Sequence, residues 1–190
     1  MDLFRQVCQD AKLRKSAVCA NLASMSSQFV IQPATAADLS VILQLIRELA
    51  EYERAPDAAV ATEPQLREVL FGEKPCAEVL LAFESDEAVG FAVYFFNFST
   101  WLGRPGLYLE DLFVRPATRG KGYGRALLER LAQIAHARGC GRMEWAVLDW
   151  NEPAIQFYKK LGAKPMEEWT VFRLTRDGVA SLAKGNGGSS

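Results

Sequence analysis

The stretch that decides the fold spans residues 107–125 and reads LYLEDLFVRPATRGKGYGR. Its first half is an apolar run interrupted by two adjacent carboxylates. Its second half is a glycine-rich loop that opens the helical segment ALLERLAQIAHARG. A strand, a glycine turn and a helix N-terminus predict an anion site, because free backbone N–H groups and the positive end of the helix dipole converge there. The glycines allow a phosphate to approach the backbone closely, and Arg119, Lys121 and Arg125 add positive charge.

The glycine spacing argues against two common phosphate loops. A Walker loop requires G-x-x-x-x-G-K-[ST], which the stretch does not supply. The dinucleotide fingerprint G-x-G-x-x-G fails because a match started at Gly120 ends on Arg125, and one started two residues later ends on a leucine. The pattern present is R-x-x-G-x-G, formed by Arg119, Gly122 and Gly124. On the loop alone, a plain turn with a glycine N-cap remains an alternative.

The R-x-x-G-x-G pattern resembles the acetyl-CoA pyrophosphate loop of the GCN5-related N-acetyltransferases. The segments FVIQPATAADL, LIRELAEYE, LYLED, RGKGYG and VLDWNEPAIQFYKKLGA follow one another in a single order. Together they resemble the spermidine/spermine N-acetyltransferase subfamily, including the thialysine N-epsilon-acetyltransferases, over about residues 29–174. The resemblance implies an α/β (α+β mixed) acetyltransferase fold, a mixed central sheet splayed between its middle strands with helices on both faces.

Composition narrows the class of protein. At 190 residues, 21.1 kDa and 49% hydrophobic residues, the chain fits one domain with a real core. Its net charge of −1 gives no global field that would favour nucleic acid or a membrane surface. The four cysteines show no CxxC spacing and, with one histidine, offer no zinc set. We therefore expect no metal, no nucleic acid and no membrane as partners, and reduced thiols in a cytoplasmic protein.

The domain plan places one catalytic domain between two flanking segments. We expect residues 1–27 to be a disordered or non-domain leader, 28–183 to be the N-acetyltransferase domain, and 184–190 to be a flexible tail. The leader lacks the sustained apolar run of a secretory signal. Its basic and serine residues leave organellar import as an alternative to a cytoplasmic location.

Hydrophobic periodicity predicts strands alternating with helices, which favours a mixed sheet with helices packed on it. A capping box at Thr35 and Asp38 opens the first helix, and Gly139 ends the long one. We expect strands over 29–31, 78–83, 89–98, 107–114, 143–148 and 170–174, with the second and third joined in a hairpin by the turn SDE, and helices over 39–50, 62–72, 122–138 and 152–161.

Glu110 and Asp111 interrupt an otherwise apolar strand. Successive strand side chains point to opposite faces, so at least one carboxylate must face the interior or a cleft. A buried, unpaired charge is costly, and two compensations are open: a buried salt bridge to a neighbouring arginine, or a cationic substrate. The resemblance implies the second. In the subfamily, the residue matching Glu110 binds the polyamine and helps to remove the amine proton through water, and we keep Asp111 as a second electrostatic contributor.

The DWNEPA turn leads into a helix that carries a tyrosine. Asn151 is a natural N-cap, with Pro153 in the first turn. Tyr158 shares a helix face with Ile155 and Leu161, so a core aromatic is one interpretation. The resemblance implies another: in the family motif N-x-x-A-x-x-x-Y this tyrosine protonates the departing coenzyme A thiolate. Asn151 then also contacts pantetheine. Capping the helix and binding pantetheine would use the same side-chain amide, and the sequence leaves both roles open.

Two further segments match substrate contacts only through the resemblance. Tyr52 and Glu53 end the first helix, where composition alone indicates an ordinary solvated helix end. Glu167 or Glu168 falls where the family has an acidic substrate contact, and we choose Glu168. Arg54 places a cation next to Glu53, a feature nearer to the thialysine branch than to the strict polyamine branch.

The resemblance implies transfer of the acetyl group of acetyl-CoA to a primary amine of a small cationic substrate, in a ternary complex on a homodimer. A lysine-type amino-acid or protein amine acetyltransferase, or a non-catalytic acyl-CoA-binding sensor, is the alternative. We expect Glu110 and Tyr158 to be catalytic. We expect the substrate to contact Tyr52, Glu53, Glu110, Asp111 and Glu168. We expect the coenzyme to contact Leu112, Phe113, Val114, Arg119, Gly120, Lys121, Gly122, Tyr123, Gly124, Arg125, Asn151, Glu152, Pro153, Ala154 and Tyr158.

Overall fold

The computed structural model describes residues 28–185. The expectations for residues 1–27, and for 186–190 of the tail, lie outside the described residues. The chain divides into two compact units, the first ending at Ala146 and the second beginning at Val147. Across residues 28–185, no helix is long and apolar enough to cross a membrane.

The first unit is built on a five-stranded sheet whose strands lie in chain order. Strands β1 to β4 pair antiparallel, and β5 joins β4 in parallel. The predicted mixed sheet is therefore confirmed. The elements are β1 (Phe29–Pro33), α1 (Leu39–Tyr52), α2 (Glu63–Phe71), β2 (Glu78–Glu84), β3 (Glu87–Ser99), β4 (Arg104–Val114), α3 (Tyr123–Ala137) and β5 (Arg142–Trp145).

Helix α1 begins after the predicted capping box. The backbone N–H of Thr35 donates to Asp38 Oδ2 at 2.8 Å, and Thr35 Oγ1 accepts from the N–H of Ala37 at 3.3 Å. The box closes a single 3-10 turn that leads directly into α1. The apolar stripe of α1 is buried against one face of the sheet. The cluster includes Leu39, Ile42, Leu43, Leu45 and Leu49 of α1 with Val79, Leu81, Phe91 and Phe113 of the strands.

Helix α3 covers the other face of the sheet. Its buried positions include Leu127, Leu128 and Leu131, and the helix packs on β2, β3, β4 and β5. Leu80 and Ala92, which alternate with the residues facing α1, are buried as well. The expected helices on both faces are thus confirmed within the first unit.

The β2–β3 hairpin turns through two residues in the left-handed region. Ser85 has φ 50° and Asp86 has φ 69°. Positive φ at both central positions is the requirement of the tight turn that matches the twist of paired strands. The predicted hairpin is confirmed.

Strand β4 carries a bulge at the first carboxylate. Val93 lies opposite Asp111 and Tyr94 opposite Leu109, so Glu110 has no partner on β3. The ladder between β4 and β5 ends one residue earlier, at the pair Leu109–Trp145. A bulge locally disrupts the ladder and bends the strand. Residues 111–114 of β4 therefore pair only with β3 within the described part of the chain, as a splayed sheet requires.

The expected strand over 143–148 is too long, because β5 ends where its pairing with β4 ends. Val147 and Leu148 are 37% and 41% exposed. They already belong to the second unit, which starts at Val147.

The second unit, described here as far as residue 185, contains α4 (Glu152–Lys160) and α5 (Arg176–Ala183). The predicted strand over 170–174 is wrong. Strand propensity alone does not make a strand, which needs a neighbouring backbone to pair with. Val171 and Phe172 are instead 82% and 92% exposed. Helix α5 was not predicted, although Thr175 caps it by accepting from the N–H of Gly178 at 3.3 Å.

Candidate active site

The loop after β4 has the expected strand–turn–helix form. A 3-10 turn, Pro116–Thr118, leads to Gly120 with φ 83° and to Gly122 with φ 90°, which is the N-cap of α3. A Cβ added at either glycine would meet nothing within 4 Å. The space over this backbone would admit an anion at the helix N-terminus. Gly124 and Arg125 lie in the first turn of α3, where the Arg125 Nε pairs with a glutamate one turn along at 2.7 Å.

Two side chains of the loop are bound to one carboxylate of β2. Lys121 Nζ lies 2.8 Å from the Glu84 carboxylate oxygens, and the pKa of Lys121 is raised by this bond. Tyr123 is also hydrogen-bonded to Glu84, which raises the pKa of its phenol. The Tyr123 ring stacks on Phe29 with centroids 4.2 Å apart. The protein itself therefore positions these two expected coenzyme contacts.

Arg119 connects the loop to β4 and to the end of α1. Its Nε donates to the carbonyl oxygen of Val114 at 2.9 Å. Its guanidinium carbon lies 4.2 Å from the centroid of the Tyr52 ring and 5.9 Å from that of Phe113. One expected coenzyme contact and one expected substrate contact are thus direct neighbours.

The backbone of β4 presents two of the three expected pantetheine positions to its outer edge. The N–H of Arg115 donates to the carbonyl of Val89 at 2.9 Å. Bonded and non-bonded pairs alternate along an antiparallel ladder, so the backbone groups of Phe113 face β3. Those of Leu112 and Val114 face the opposite edge, on the side where the β5 ladder has already ended.

Three carboxylates gather where α1 ends beside β4. Asp111 lies two residues before Phe113 and so shares the sheet face that α1 covers. Burial, together with the nearby charges of Glu110 and Glu53, raises the pKa of Asp111 to about 6. Burial also raises the pKa of Glu53. These influences show that the three groups are close together, and we call them the acidic cluster.

The acidic cluster lacks a cation. Within residues 28–185, the side chains of Glu53, Glu110 and Asp111 form no ion pair or hydrogen bond. The alternative of a buried salt bridge is therefore not found in the described chain. No group of three histidine, cysteine or acidic residues in that range could hold a metal ion either. What the cluster can do is attract a positively charged group from solution.

The start of α4 confirms the predicted N-cap. Asn151 is 8% exposed, and its Oδ1 accepts from the N–H of Ala154 at 3.4 Å. Glu152 and Pro153 occupy the first turn. The carboxamide oxygen of Asn151 is thus used in capping.

The remaining expected residues lie farther along the second unit. Tyr158 is half-buried on α4, and its ring centroid lies 5.4 Å from that of Phe157. Glu167 and Glu168 are both exposed, in a turn outside the helices. Glu168 as a substrate contact stays a prediction.

Two residues that support the site were not among the sequence candidates. Glu84 holds Lys121, 37 residues away, and Arg115 binds Glu48, 67 residues away. Contacts this distant in sequence leave no local pattern. The only available signal was that Arg115 directly follows an apolar strand.

Comparison with known proteins agrees with this architecture. The Acetyltransferase (GNAT) family matches residues 42–163. The chain is 41% identical over 165 residues to the bovine (Bos taurus) thialysine N-epsilon-acetyltransferase, covering 81% of this chain and 96% of that protein. It is 31% identical over 201 residues to the L-ornithine N5-acetyltransferase of Arabidopsis thaliana, covering 82% and 88%.

A solved structure shares the fold. The integron cassette protein from the mobile metagenome of V. cholerae has a TM-score of 0.71 and 32% identity, over 82% of this chain and 98% of that one. Its match extends beyond the segment of the family match. Together with the glycine loop at α3 and the mixed sheet, these similarities show that the chain belongs to the GNAT family of acetyltransferases.

Proposed function

We propose that this chain transfers the acetyl group of acetyl-CoA to a primary amine of a small cationic substrate. The observation that carries the proposal is the acidic cluster of Glu53, Glu110 and Asp111, which has no protein cation in the described chain and lies beside the glycine loop of an acetyltransferase. Free amines have pKa values near ~10, so the substrate arrives as an ammonium ion. A cluster of carboxylates attracts that ion.

The first unit supplies groups that suit the coenzyme. The N-terminus of α3, with Gly120 and Gly122 in the left-handed region, suits a pyrophosphate. The backbone groups of Leu112 and Val114 face the edge of β4 where a pantetheine chain would pair like an added strand. The N–H of Leu112 would stabilise the negative charge that develops on the thioester oxygen.

Proton transfer divides between two residues. Glu110, exposed at the bulge, would accept the ammonium proton through water and so release the amine nucleophile. Tyr158 on α4 would donate a proton to the sulfur that leaves. Asp111 and Glu53 would hold the cation while Glu110 takes its proton.

The preferred amine is the finer part of the proposal. Relatives include thialysine and L-ornithine acetyltransferases, and a human spermidine/spermine N(1)-acetyltransferase-like protein is 38% identical over 165 residues, covering 82% of this chain and 24% of that protein. A zwitterionic amino acid needs a cation for its carboxylate, and Arg54 directly follows Glu53. We propose broad primary-amine activity, with thialysine-like amino acids and short diamines at least competitive with spermidine.

The direct test is release of free thiol from acetyl-CoA by the full chain, measured with a panel of diamines, polyamines and amino acids. Amine-dependent thiol release and an acetylated amine identified by mass spectrometry are expected. If the protein binds acetyl-CoA but no amine raises thiol release above hydrolysis, it is an acyl-CoA-binding sensor. Release supported only by a lysine-bearing protein would move the substrate class from small amines to protein amines.

We further propose that the protein is a cytoplasmic homodimer. Light scattering on the purified chain tests the dimer, and the location of a fluorescent fusion in cells tests the compartment. A monomer at micromolar concentration, or an organellar signal that depends on residues 1–27, would contradict the respective part.

A further inference from the structure

A cavity of about 440 Å³ opens beside the second half of α3, between this helix, the end of α2 and the start of β2. The α3 residues that line it recur at i, i+4, i+7 and i+8, the spacing of one helix face: Arg130, Ile134, Ala137 and Arg138. At ~1.5 Å per residue, the two arginines lie about 12 Å and 24 Å along the axis from Gly122. The cavity is therefore separate from the site proposed for the coenzyme pyrophosphate.

The body of the cavity is apolar. Leu70 and Phe71 line it from α2 and Ile134 from α3, and Leu80 of β2, which also lines it, is only 1% exposed. Small-molecule sites commonly occupy about 300–1,000 Å³, and this cavity lies in that range. An aliphatic chain or an aromatic ring placed here gains affinity because its surface is removed from water.

The polar groups of the cavity gather around one carboxylate. Arg138 Nη1 lies 2.9 Å from Glu78 Oε1, and the Tyr94 hydroxyl donates to Glu78 Oε2 at 2.8 Å. The guanidinium carbon of Arg138 also lies 4.3 Å from the centroid of the Phe96 ring, which steadies it. Burial and the bond to Glu78 raise the pKa of the Tyr94 phenol, and the charges of Arg138 and Arg130 oppose that rise. Both guanidiniums therefore lie near the phenol.

Arg130 is the cation that has no carboxylate. Within the described part of the chain it forms no ion pair, and its Nη1 donates to Gln133 Oε1 at 3.3 Å. Glu78 is the only carboxylate among the described residues that line the cavity, and Arg138 and Tyr94 already bind it. Two guanidiniums against one carboxylate leave a net positive charge, which a ligand with one negative charge would balance.

We propose that this cavity binds a small monocarboxylate with an apolar body. Its carboxylate lies at Arg130 and Arg138, and its chain or ring lies against Leu70, Phe71 and Ile134. The guanidiniums favour an anion over an amine, and the apolar lining favours a longer chain over acetate. This binding does not depend on acetyl transfer, because the cavity shares no side chain with the acidic cluster or the glycine loop.

The experiment is an amide NMR titration of the full chain with octanoate at pH 7 and one ionic strength, with and without saturating coenzyme A. We expect one saturable site with a dissociation constant below about 1 mM, equal in both conditions, and shifts at the start of β2 and the second half of α3. Affinity should rise about threefold for each methylene from butanoate to octanoate. Octanamide, the neutral analogue, should bind about tenfold more weakly than octanoate.

Two variants should change octanoate affinity in opposite directions. Arg130→Gln should lower it by about tenfold, and this arginine has no ion pair in the described chain whose loss would disturb the fold. Glu78→Gln should raise it by about threefold, because a repelling charge is lost and Arg138 is released. The glutamine can still accept from Tyr94, and a damaged fold would not raise affinity. Arg47→Gln, at an exposed position of α1, is the matched control and should bind like the wild type.

Several outcomes would overturn the proposal. Octanoate shifts that do not saturate, or octanamide that binds as tightly as octanoate, would show that the arginines recognise no carboxylate. An Arg130→Gln variant that binds like Arg47→Gln would show the same. Shifts centred on the glycine loop that coenzyme A abolishes would place octanoate in the coenzyme site instead. If light scattering finds the wild type dimeric and Arg130→Gln monomeric, the cavity is an interface between copies of the chain rather than a ligand site.

Discussion

Glu48 and Arg115 form a bidentate ion pair that ties helix α1 to the end of strand β4. The Nε and Nη2 of Arg115 donate to the two carboxylate oxygens of Glu48, each at 2.8 Å. The same guanidinium also binds Glu87 at 2.9 Å and the carbonyl of Ala88 at 2.7 Å. Glu48 lies one turn before Tyr52, so this pair holds the end of α1 over β4.

Glu48→Gln should lower the free energy of unfolding by about 1–3 kcal/mol, because the Arg115 side chain is only 19% exposed and loses the closer of its two charged partners. Urea unfolding at pH 7 measures the change. Glu129→Gln is the matched control, since it removes an exposed pair on α3 of the kind worth about 0.3–0.5 kcal/mol. Equal losses in the two variants would show that the Glu48 pair does not fix α1.

The same pair predicts a pH dependence of stability. The hydrogen bond from Arg115 lowers the pKa of Glu48 below its ordinary value of 4.5. A lowered pKa in the folded state adds stability above the unfolded value and loses it as pH falls through the folded value. The difference between wild type and Glu48→Gln should therefore shrink below about pH 4.5.

Asp111→Asn should stabilise the protein at neutral pH. Burial raises the pKa of Asp111 from 3.8 to about 6, so the folded chain binds more protons than the unfolded chain in this window. Stability then falls as pH rises through it. The rise in pKa corresponds to about 3 kcal/mol of unfolding free energy. The gap in unfolding free energy between Asp111→Asn and the wild type should therefore widen between about pH 4 and pH 6 and then stay constant.

Urea midpoints of wild type and Asp111→Asn from pH 4 to pH 8 measure this gap. Asp57→Asn, at an exposed position, should show no such opening. A gap that is constant across the pH range would mean that the pKa of Asp111 is the same in the folded and the unfolded chain. The Asn variant should also bind the cationic amine more weakly above pH 6, because one attractive charge is lost.

Gly122→Ala and Gly124→Ala should each raise the dissociation constant of coenzyme A by about ten- to a hundredfold. A Cβ at these positions would stand between the backbone and the pyrophosphate. At Gly122, with φ 90°, alanine also carries a left-handed strain of about 1–2 kcal/mol. Gly124 lies inside α3, where alanine favours the helix, so any loss of affinity there is steric.

Gly139→Ala separates strain from ligand contact. Gly139 has φ 67°, follows the other end of α3 and, like Gly122, has nothing within 4 Å of an added Cβ. It should lower stability and leave coenzyme A affinity unchanged in an isothermal titration. If the two loop variants also bind coenzyme A like the wild type, the loop is not the phosphate site.

Tyr158→Phe should lower kcat by about 10²–10⁴-fold, the usual contribution of a general acid. Coenzyme A affinity should stay close to that of the wild type, because the ring and its contact with Phe157 are kept. Steady-state rates across a pH range, combined with a coenzyme titration, measure both quantities. A wild-type kcat at every pH would remove Tyr158 from the mechanism and return it to a packing role.

Arg54→Ala should lower kcat/KM for thialysine relative to spermidine by about tenfold, the worth of one charge-assisted hydrogen bond. Arg54 has φ 63°, and alanine bears a similar cost at that φ, so the change adds no backbone strain. Arg47→Ala, at an exposed position of α1, is the control. An unchanged ratio, with spermidine preferred by orders of magnitude, would identify an ordinary polyamine acetyltransferase.

Local sequence determined most of the elements and predicted the coenzyme loop. Thr35 with Asp38, and Asn151 before α4, are local signals, because a capping side chain bonds to backbone groups within the next three residues. Gly122 before α3 is local because its left-handed φ favours glycine. The apolar spacing of α1 determined which of its faces is buried, since helical periodicity is set by the chain itself.

Tertiary structure alone decided how the site is held together. The bulge at Glu110, the Glu84 bond to Lys121 and the contact of Arg119 with Tyr52 join residues from separate elements. Such contacts depend on register and on packing between elements, which local periodicity does not encode. The same reason explains the failure at 170–174, where strand-forming residues met no partner strand. A strand, unlike a helix, completes its hydrogen bonds only with another segment of chain.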